Sequence, residues 1–241
     1  MLFFKNLFKQ DIFSTGLLKG AVEIHSHILP GVDDGFQESG KSVYALKWMA
    51  KQGYRKVFFT PHIMTDWGSN NYHSLTTEFN EFAKKAPQGL ELGLAAEYML
   101  DADFEKRINE PMLSFYVKHV LVESSYRAPS PIMAEQLFQL RMKGNVPIFA
   151  HPERYVYLKP SDYRSLKSDG LLFQLNLMSL CGAYGSTAEQ KARFLLKEGL
   201  YDFVGSDVHR FTWLKNGMEA LRLSKGDVAA LTPLFEASKS F

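Results

Sequence analysis

The stretch AVEIHSHILPGVDDG, residues 21–35, joins an apolar run to a polar loop that carries two histidines and two aspartates. Val22 and Ile24 are β-branched residues, which are typical of buried strands. His25 and His27 come where this strand ends. Because side chains alternate along a strand, residues two apart point to the same side. The segment therefore predicts a strand that delivers two imidazoles together at its carboxyl end.

Similar apolar runs recur along the chain, each followed by a polar loop and a helical pattern. The predicted strands are AVEIH (21–25), KVFFT (56–60), LELGLAA (90–96), HVLVE (119–123), VPIFA (146–150), LLFQL (171–175) and DFVGS (202–206). Helical patterns lie at 38–52, 73–86, 132–143, 187–198 and 226–238. This alternation predicts parallel β/α units, and the lack of a dinucleotide-type glycine fingerprint favours a closed sheet over an open one. We predict an α/β fold, a single-domain distorted (β/α)7 TIM-like barrel over residues 21–241.

Histidine and carboxylate side chains cluster at the predicted strand ends. The candidates are His25, His27, His62, Glu97, Glu123, His151, Asp207 and His209. In barrels, the carboxyl ends of the strands converge on one mouth, where catalytic residues lie. Five of the seven histidines fall at such ends. The other two, His73 and His119, are expected to be structural or surface residues.

Carboxylates gathered among imidazoles need a compensating cation, because buried like charges are costly. Mixed imidazole and carboxylate ligands suit Mn, Fe or Zn. Cys181 is the single cysteine of the chain, so no internal disulfide framework exists. A cysteine-based phosphatase would need an arginine six residues later, where Thr187 stands. The sequence therefore indicates metal chemistry.

The motifs HSHILPGVDDG (25–35), TPH (60–62), HPER (151–154) and SDVH (206–209) resemble the polymerase-and-histidinol-phosphatase (PHP) superfamily. Within it, the HxHxLPGxDDG form resembles bacterial tyrosine-protein phosphatases found with capsular and exopolysaccharide synthesis. The resemblance runs from about residue 21 to about residue 210. It implies the PHP fold, a barrel of seven β/α units, with a site for up to three divalent ions, of which Mn is favoured and Fe or Zn are alternatives.

The resemblance also implies how the ligands are shared. His25, His27 and Asp207 would hold one ion, and Glu97 would bridge to a second. Glu123 and His151 would complete the second site. Asp34, His62 and His209 would hold the third. Asp33, beside Asp34, is expected to orient a ligand or the loop.

Metal clusters of this kind lower the pKa of a bridging water, so that hydroxide can attack phosphorus in line. Asp34 and His209 are the ligands predicted to act in catalysis. Arg154 is the candidate phosphate clamp, catalytic and substrate-binding, because a guanidinium matches two phosphate oxygens. A salt bridge to a loop carboxylate is its alternative role. The resemblance implies a second arginine beyond His209, where Leu214 and Lys215 stand, so Arg210 or Lys215 would replace it.

The predicted function is hydrolysis of phosphotyrosine on the tail of a bacterial tyrosine autokinase linked to exopolysaccharide or capsule synthesis. One alternative is a small-molecule phosphatase, for example for histidinol phosphate. Another is a non-catalytic, metal-stabilised binding module. With a formal net charge of +2 and no basic cluster, the chain is not expected to bind nucleic acid.

Residues 1–20 form a separate amphipathic segment, in which Phe4, Phe8 and Ile12 recur at helical spacing. Lys5 and Lys9 interrupt its apolar run, so neither a transmembrane helix nor a signal peptide is predicted. We expect a helix that packs on the barrel, with membrane-surface or partner docking as the alternative. A cytoplasmic location fits the single cysteine. The sequence leaves oligomerisation open.

Overall fold

A computed structural model describes residues 9–116 and 118–241. The strands are β1 (Gln10–Asp11), β2 (Ala21–Glu23), β3 (Tyr54–Phe59), β4 (His62–Ile63), β5 (Glu91–Leu94), β6 (Glu97–Met99), β7 (His119–Glu123), β8 (Val146–Ala150), β9 (Leu172–Asn176), β10 (Phe203–Gly205) and β11 (Arg222–Leu223). The helices are α1 (Ser39–Gln52), α2 (Tyr72–Ala83), α3 (Phe104–Arg107), α4 (Met133–Met142), α5 (Pro160–Ser168), α6 (Ser186–Lys197), α7 (Phe211–Ala220) and α8 (Lys225–Ser238). Within the described ranges, no helix is both long and apolar enough to span a membrane.

The barrel wall consists of two parallel sheets that continue one into the other. One has the order β2-β3-β5, and the other has the order β10-β9-β8-β7-β6-β4. β4 resumes the course of β3 after Thr60 and Pro61, and β6 resumes that of β5 after Ala95 and Ala96. The second sheet therefore continues two strands of the first, and together they form one curved surface.

The first strand region closes this surface against the last. Ser26 forms a parallel bridge with Val208. The backbone N–H of Asp207 donates to the carbonyl of His25 at 2.8 Å, and that of His27 donates to the carbonyl of Val208 at 2.9 Å. These bonds form the seam of the ring. The predicted distorted α/β barrel is confirmed.

Alternating side chains fill the two sides of the barrel wall. Leu121 and Ile148 belong to a small cluster with Phe58, whereas Val120 and Phe149 belong to the larger core beneath the helices. This alternation follows from the period of two in a strand. The main apolar layer therefore lies between the sheet and its helices, as in other parallel β/α folds.

The amino-terminal segment differs from its prediction. Phe3, Phe4, Leu7 and Phe8 lie outside the described residues. Within them, β1 pairs with β11 and a 3-10 turn covers Ile12–Ser14, so this part is not an α-helix. Ile12 is nevertheless fully buried, whereas Phe13 is partly exposed. A strand pairing with the distant residues of β11 was not visible in the local apolar spacing.

Candidate metal centre

All nine predicted ligands meet at the carboxyl-end mouth of the barrel. His25 Nε2 lies 3.2 Å from both Glu97 Oε2 and Asp207 Oδ1, and His27 Nε2 lies 3.3 Å from the same two oxygens. His62 Nδ1 lies 3.2 Å from Glu97 Oε2 and 3.1 Å from Glu123 Oε1. Glu97 therefore stands at the centre of the group, where the resemblance implies a bridging ligand.

Three sets of ligand atoms are close enough to surround an ion. They are His25, His27, Glu97 and Asp207; His62, Glu97 and Glu123; and His27, Asp34, His62 and His209. The first set matches the ligands that the resemblance implies for one ion. The third set contains Asp34, His62 and His209, which the resemblance implies for another ion, and His27 in addition. The second set contains His62 where the resemblance implies His151. His151 lies beside this set, with its Nε2 3.1 Å from Glu97 Oε1 and 3.9 Å from Glu123 Oε2.

Two observations test whether these residues fit divalent ions. Bonds of about 2.1 Å to one ion separate neighbouring ligand atoms by about 3.0–3.5 Å, the range of the contacts around Glu97 and Asp207. Asp207 Oδ1 and His62 Nδ1 are also buried without a hydrogen-bond partner, although both face other ligands. Buried polar atoms are normally satisfied. The donor set therefore fits divalent ions.

Electrostatics at the centre also favour a cation. Burial disfavours the imidazolium of His25, yet Glu97 and Asp207 raise the pKa of His25 to about 9. Burial likewise opposes ionisation of Asp207, but His25 and His209 hold its pKa well below the usual range. The imidazole of His209 lowers the pKa of Asp34 to about 2. Asp207 and Asp34 are thus anionic at neutral pH, and a proton competes with a metal ion for the imidazole of His25.

Residues behind the ligands fix their orientation. Asp33 accepts from His27 Nδ1 at 2.7 Å, which leaves His27 Nε2 for an ion, and Asp33 also accepts from the backbone N–H of His62. These hydrogen bonds agree with the prediction that Asp33 orients a ligand or the loop. Gln174 Oε1 lies 2.9 Å from His25 Nδ1, a partner that the sequence analysis missed. The sequence feature that could have indicated this role is that Gln174 is the one polar residue in the apolar run LLFQL (171–175).

Two glycines allow the backbone to approach the ligands. A Cβ on Gly35 would lie 2.1 Å from the carbonyl oxygen of His27, and one on Gly205 would lie 2.7 Å from the Cβ of His25. Gly31, by contrast, has a φ of 76° and so supplies the turn. Glycine in the loop 31–35 therefore serves two needs, a left-handed turn and close packing on His27.

Two of the predicted ligands have a left-handed backbone. His151 has a φ of 36° and Asp207 a φ of 52°, values that cost energy for residues other than glycine. His151 directly follows β8, and Asp207 comes two residues after the end of β10. The chain changes direction at both residues. This conformation turns both side chains toward the mouth.

Arg154 is held flat beside the ligands. Its Nη1 donates to Asp207 Oδ2 at 2.6 Å, and its guanidinium carbon lies 4.4 Å from the ring centre of Tyr126 and 4.2 Å from that of Tyr184. The salt bridge considered as an alternative role is therefore present. Arg154 also lines the cavities at the mouth, together with Asp34 and His209.

The remaining candidates divide between the mouth and other places. Arg210 is exposed and lines the cavity beside Arg154. Lys215 faces Glu219 at 3.3 Å, and Leu214 is buried. Cys181 is partly buried after β9, with its thiol donating to the Met178 carbonyl.

The two other histidines lie outside the cluster, as predicted. His73 is exposed in the first turn of α2. His119 packs against the ring of Phe241 at 5.3 Å.

The fold and the side chains at its mouth define a barrel protein with a candidate multinuclear metal centre. The chain belongs to the capsular polysaccharide synthesis family CpsB/CapC, whose model matches residues 21–221. It is 30% identical over 201 residues to the tyrosine-protein phosphatase YwqE of Bacillus subtilis, covering 78% of this chain and 77% of that protein. It is 28% identical over 200 residues to the tyrosine-protein phosphatase CpsB of Streptococcus pneumoniae, covering 78% and 82%.

Solved structures share the fold. A structure from a study of YwqE from Bacillus subtilis and CpsB from Streptococcus pneumoniae, described there as metal-dependent tyrosine phosphatases, superposes with a TM-score of 0.73. It is 23% identical and covers 89% of this chain and 93% of the other. The phosphotriesterase homology protein of Escherichia coli has a TM-score of 0.53, is 12% identical, and covers 92% and 98%. These likenesses agree with the barrel described above.

Proposed function

We propose that this protein is a metal-dependent phosphatase that hydrolyses phosphotyrosine on the tail of a bacterial tyrosine autokinase. The observation that carries the proposal is the convergence of nine imidazoles and carboxylates beside Arg154 in an open mouth. Membership of a capsular polysaccharide synthesis family, and relatives named tyrosine-protein phosphatases, support this substrate. We infer a cytoplasmic location, which suits a chain with one cysteine.

We propose that His25, His27, Glu97, Asp207, Glu123, His151, Asp34, His62 and His209 hold up to three divalent ions. Mn is the first candidate, with Fe and Zn as alternatives, because the donors mix imidazole and carboxylate. Divalent ions bound there would lower the pKa of water and neutralise charge on phosphate oxygens. Asp33 and Gln174 keep the imidazoles of His27 and His25 in place for this role.

The residues around the buried set would bind the phosphoester. Arg154 has Nη1 engaged with Asp207, and its remaining N–H groups are available for phosphate oxygens. Asp34 and His209 are the most exposed of the nine, with side chains 58% and 27% accessible, so they border the substrate directly. Arg210, on the same side, adds a second positive charge.

The first test measures hydrolysis of a phosphotyrosine peptide by the purified protein, before and after EDTA and after Mn is added back. Histidinol phosphate serves as the competing substrate. We expect activity that EDTA abolishes and Mn restores, with the peptide preferred. Activity that survives complete removal of metal would contradict the mechanism, and a preference for histidinol phosphate would contradict the substrate.

A second test separates an enzyme from a binding module. Replacing His209 with Ala should lower kcat by at least about 100-fold, because a ligand to the reacting centre is lost. His73→Ala, the same change at an exposed histidine of α2 outside the cluster, is the matched control. A module without turnover would show no hydrolysis in either variant and would still bind the phosphopeptide.

A further inference from the structure

A side cavity opens from the metal centre toward the start of α7. Its volume is about 350 Å3, and it shares Asp34, Arg154, Asp207 and His209 with the centre. Its other walls are Tyr184, Arg210 and Trp213. A substrate whose phosphate lies at the centre could therefore extend directly into this cavity.

The outer part of the cavity is aromatic. One face of Tyr184 is covered by the guanidinium of Arg154, and Trp213 packs edge-on against Tyr184 with ring centres 5.9 Å apart. Trp213 is 45% exposed although it is among the largest apolar side chains. An exposed aromatic beside a site is a common feature of ligand recognition.

We propose that Tyr184, Arg210 and Trp213 form a subsite for the aryl ring of the phosphoester, and that Trp213 determines specificity for aryl over alkyl phosphates. The subsite rests on the proposed phosphatase function. A phenyl ring can pack on Trp213 in an offset or edge-to-face arrangement. The guanidinium of Arg210 can lie over the ring or neutralise a nearby carboxylate of the substrate.

The opposite side of the mouth suits this ring less well. There the cavity is lined by Met64, Asp66, Trp67, Met99 and Tyr126, together with Arg154 and residues of the centre. The carboxylate of Asp66 would repel an incoming phosphate dianion, whereas Arg210 attracts it. Charge therefore distinguishes two sides that both offer a tryptophan.

The test compares Trp213→Ala with Trp67→Ala, the matched tryptophan on the opposite side. The kcat/KM for phosphotyrosine and for phosphoserine would be measured for each Mn-loaded variant, with metal content as a check. For Trp213→Ala we expect the ratio of kcat/KM for phosphotyrosine to kcat/KM for phosphoserine to fall about tenfold, because the contact between the two aromatic rings and the area it buries are lost. Trp213→Phe should keep most of the ratio, and Trp67→Ala should change it less than twofold.

Inhibition by phenylphosphonate and by methylphosphonate gives a second measure, because neither is hydrolysed. Trp213→Ala should weaken only the advantage of the phenyl compound. If Trp213→Ala affects both substrates equally, or if Trp67→Ala alone changes the ratio, the subsite is overturned. If the wild-type protein does not hydrolyse phosphotyrosine, the proposed function itself is overturned and the subsite with it.

Discussion

Arg154 and Asp207 form an ion pair, 2.6 Å between Nη1 and Oδ2, at the edge of the metal centre. The other oxygen of Asp207, Oδ1, faces His25 and His27. One carboxylate thus connects the proposed metal ligands to the proposed phosphate clamp. The position of Asp207 therefore helps to set the position of the Arg154 guanidinium relative to the proposed metal ligands.

Arg154→Lys should lower kcat/KM for phosphotyrosine about 10- to 100-fold, because a lysine keeps the charge but loses bidentate contact with phosphate. Metal content should stay near that of the wild type, since Arg154 is not among the ligands. Arg164→Lys, at an exposed arginine paired with Glu198, is the control for the same chemical change. Equal losses in both variants would argue against a phosphate clamp.

Tyr126→Leu should weaken inhibition by inorganic phosphate about two- to tenfold, because the stack that holds the guanidinium of Arg154 is lost. Tyr126→Phe keeps the ring and should retain the wild-type inhibition constant. In an Arg154→Lys background, Tyr126→Leu should have a smaller effect, as a double-mutant cycle would show. Additive effects of the two changes would contradict the stacking role.

Gly35→Ala should destabilise the protein by roughly 2 kcal/mol or more and reduce its metal content, because the added Cβ meets the backbone of His27. Gly40→Ala in α1 is the matched control, since a Cβ there meets no atom within 4 Å. That change should be neutral or slightly stabilising, as alanine favours helix. Thermal unfolding and metal analysis of both variants check this. A stable, fully loaded Gly35→Ala protein would disprove the close-packing argument.

Metal binding should tighten as pH rises from 6 toward 9. In the metal-free protein the pKa of His25 is about 9, so at neutral pH this imidazole carries a proton that an ion must displace. Binding of Mn at pH 7 should therefore release protons, which calorimetry in buffers of different ionisation enthalpy measures. An affinity that is unchanged between pH 6 and 8 would mean that the imidazoles are already neutral.

The raised pKa of His25 also makes the stability of the metal-free fold depend on pH. A raised pKa stabilises the folded state fully below the unfolded value of 6.5, and this stabilisation is lost as pH rises through about 9. Thermal unfolding of the EDTA-treated protein should accordingly occur at lower temperature at pH 9 than at pH 6.5, and an equal or higher unfolding temperature at pH 9 would contradict this stabilisation by His25.

Much of the barrel follows from local sequence. β7 and β8 have the bounds predicted from their apolar runs, because each run is short and flanked by polar residues. α5 is not among the named helical patterns, although Pro160 stands at its first position and the Asp162 side chain accepts from the backbone N–H of Lys159, both known signals of a helix start. The pairing of β1 with β11 joins distant residues, and no local pattern encodes it.

The candidate site was predictable where ligands follow strands and hidden where contacts are long-range. All nine proposed ligands lie at strand ends or in the adjoining loop, so their convergence follows from barrel geometry. Tyr184 and Trp213 sit in a loop and a helix start, where nothing in sequence shows that they border Arg154.

The seam of the barrel gives the metal centre a part in assembly. Ser206 and Glu23 meet across it although they are 183 positions apart, so closing the ring requires a contact of very long sequence separation. His25 and His27 lie on one side of this junction and Asp207 on the other. An ion shared by them would tie the two ends of the sheet together. Because such an ion would bind the closed ring and not the unfolded chain, its concentration would affect the stability of the fold as well as the rate of the reaction.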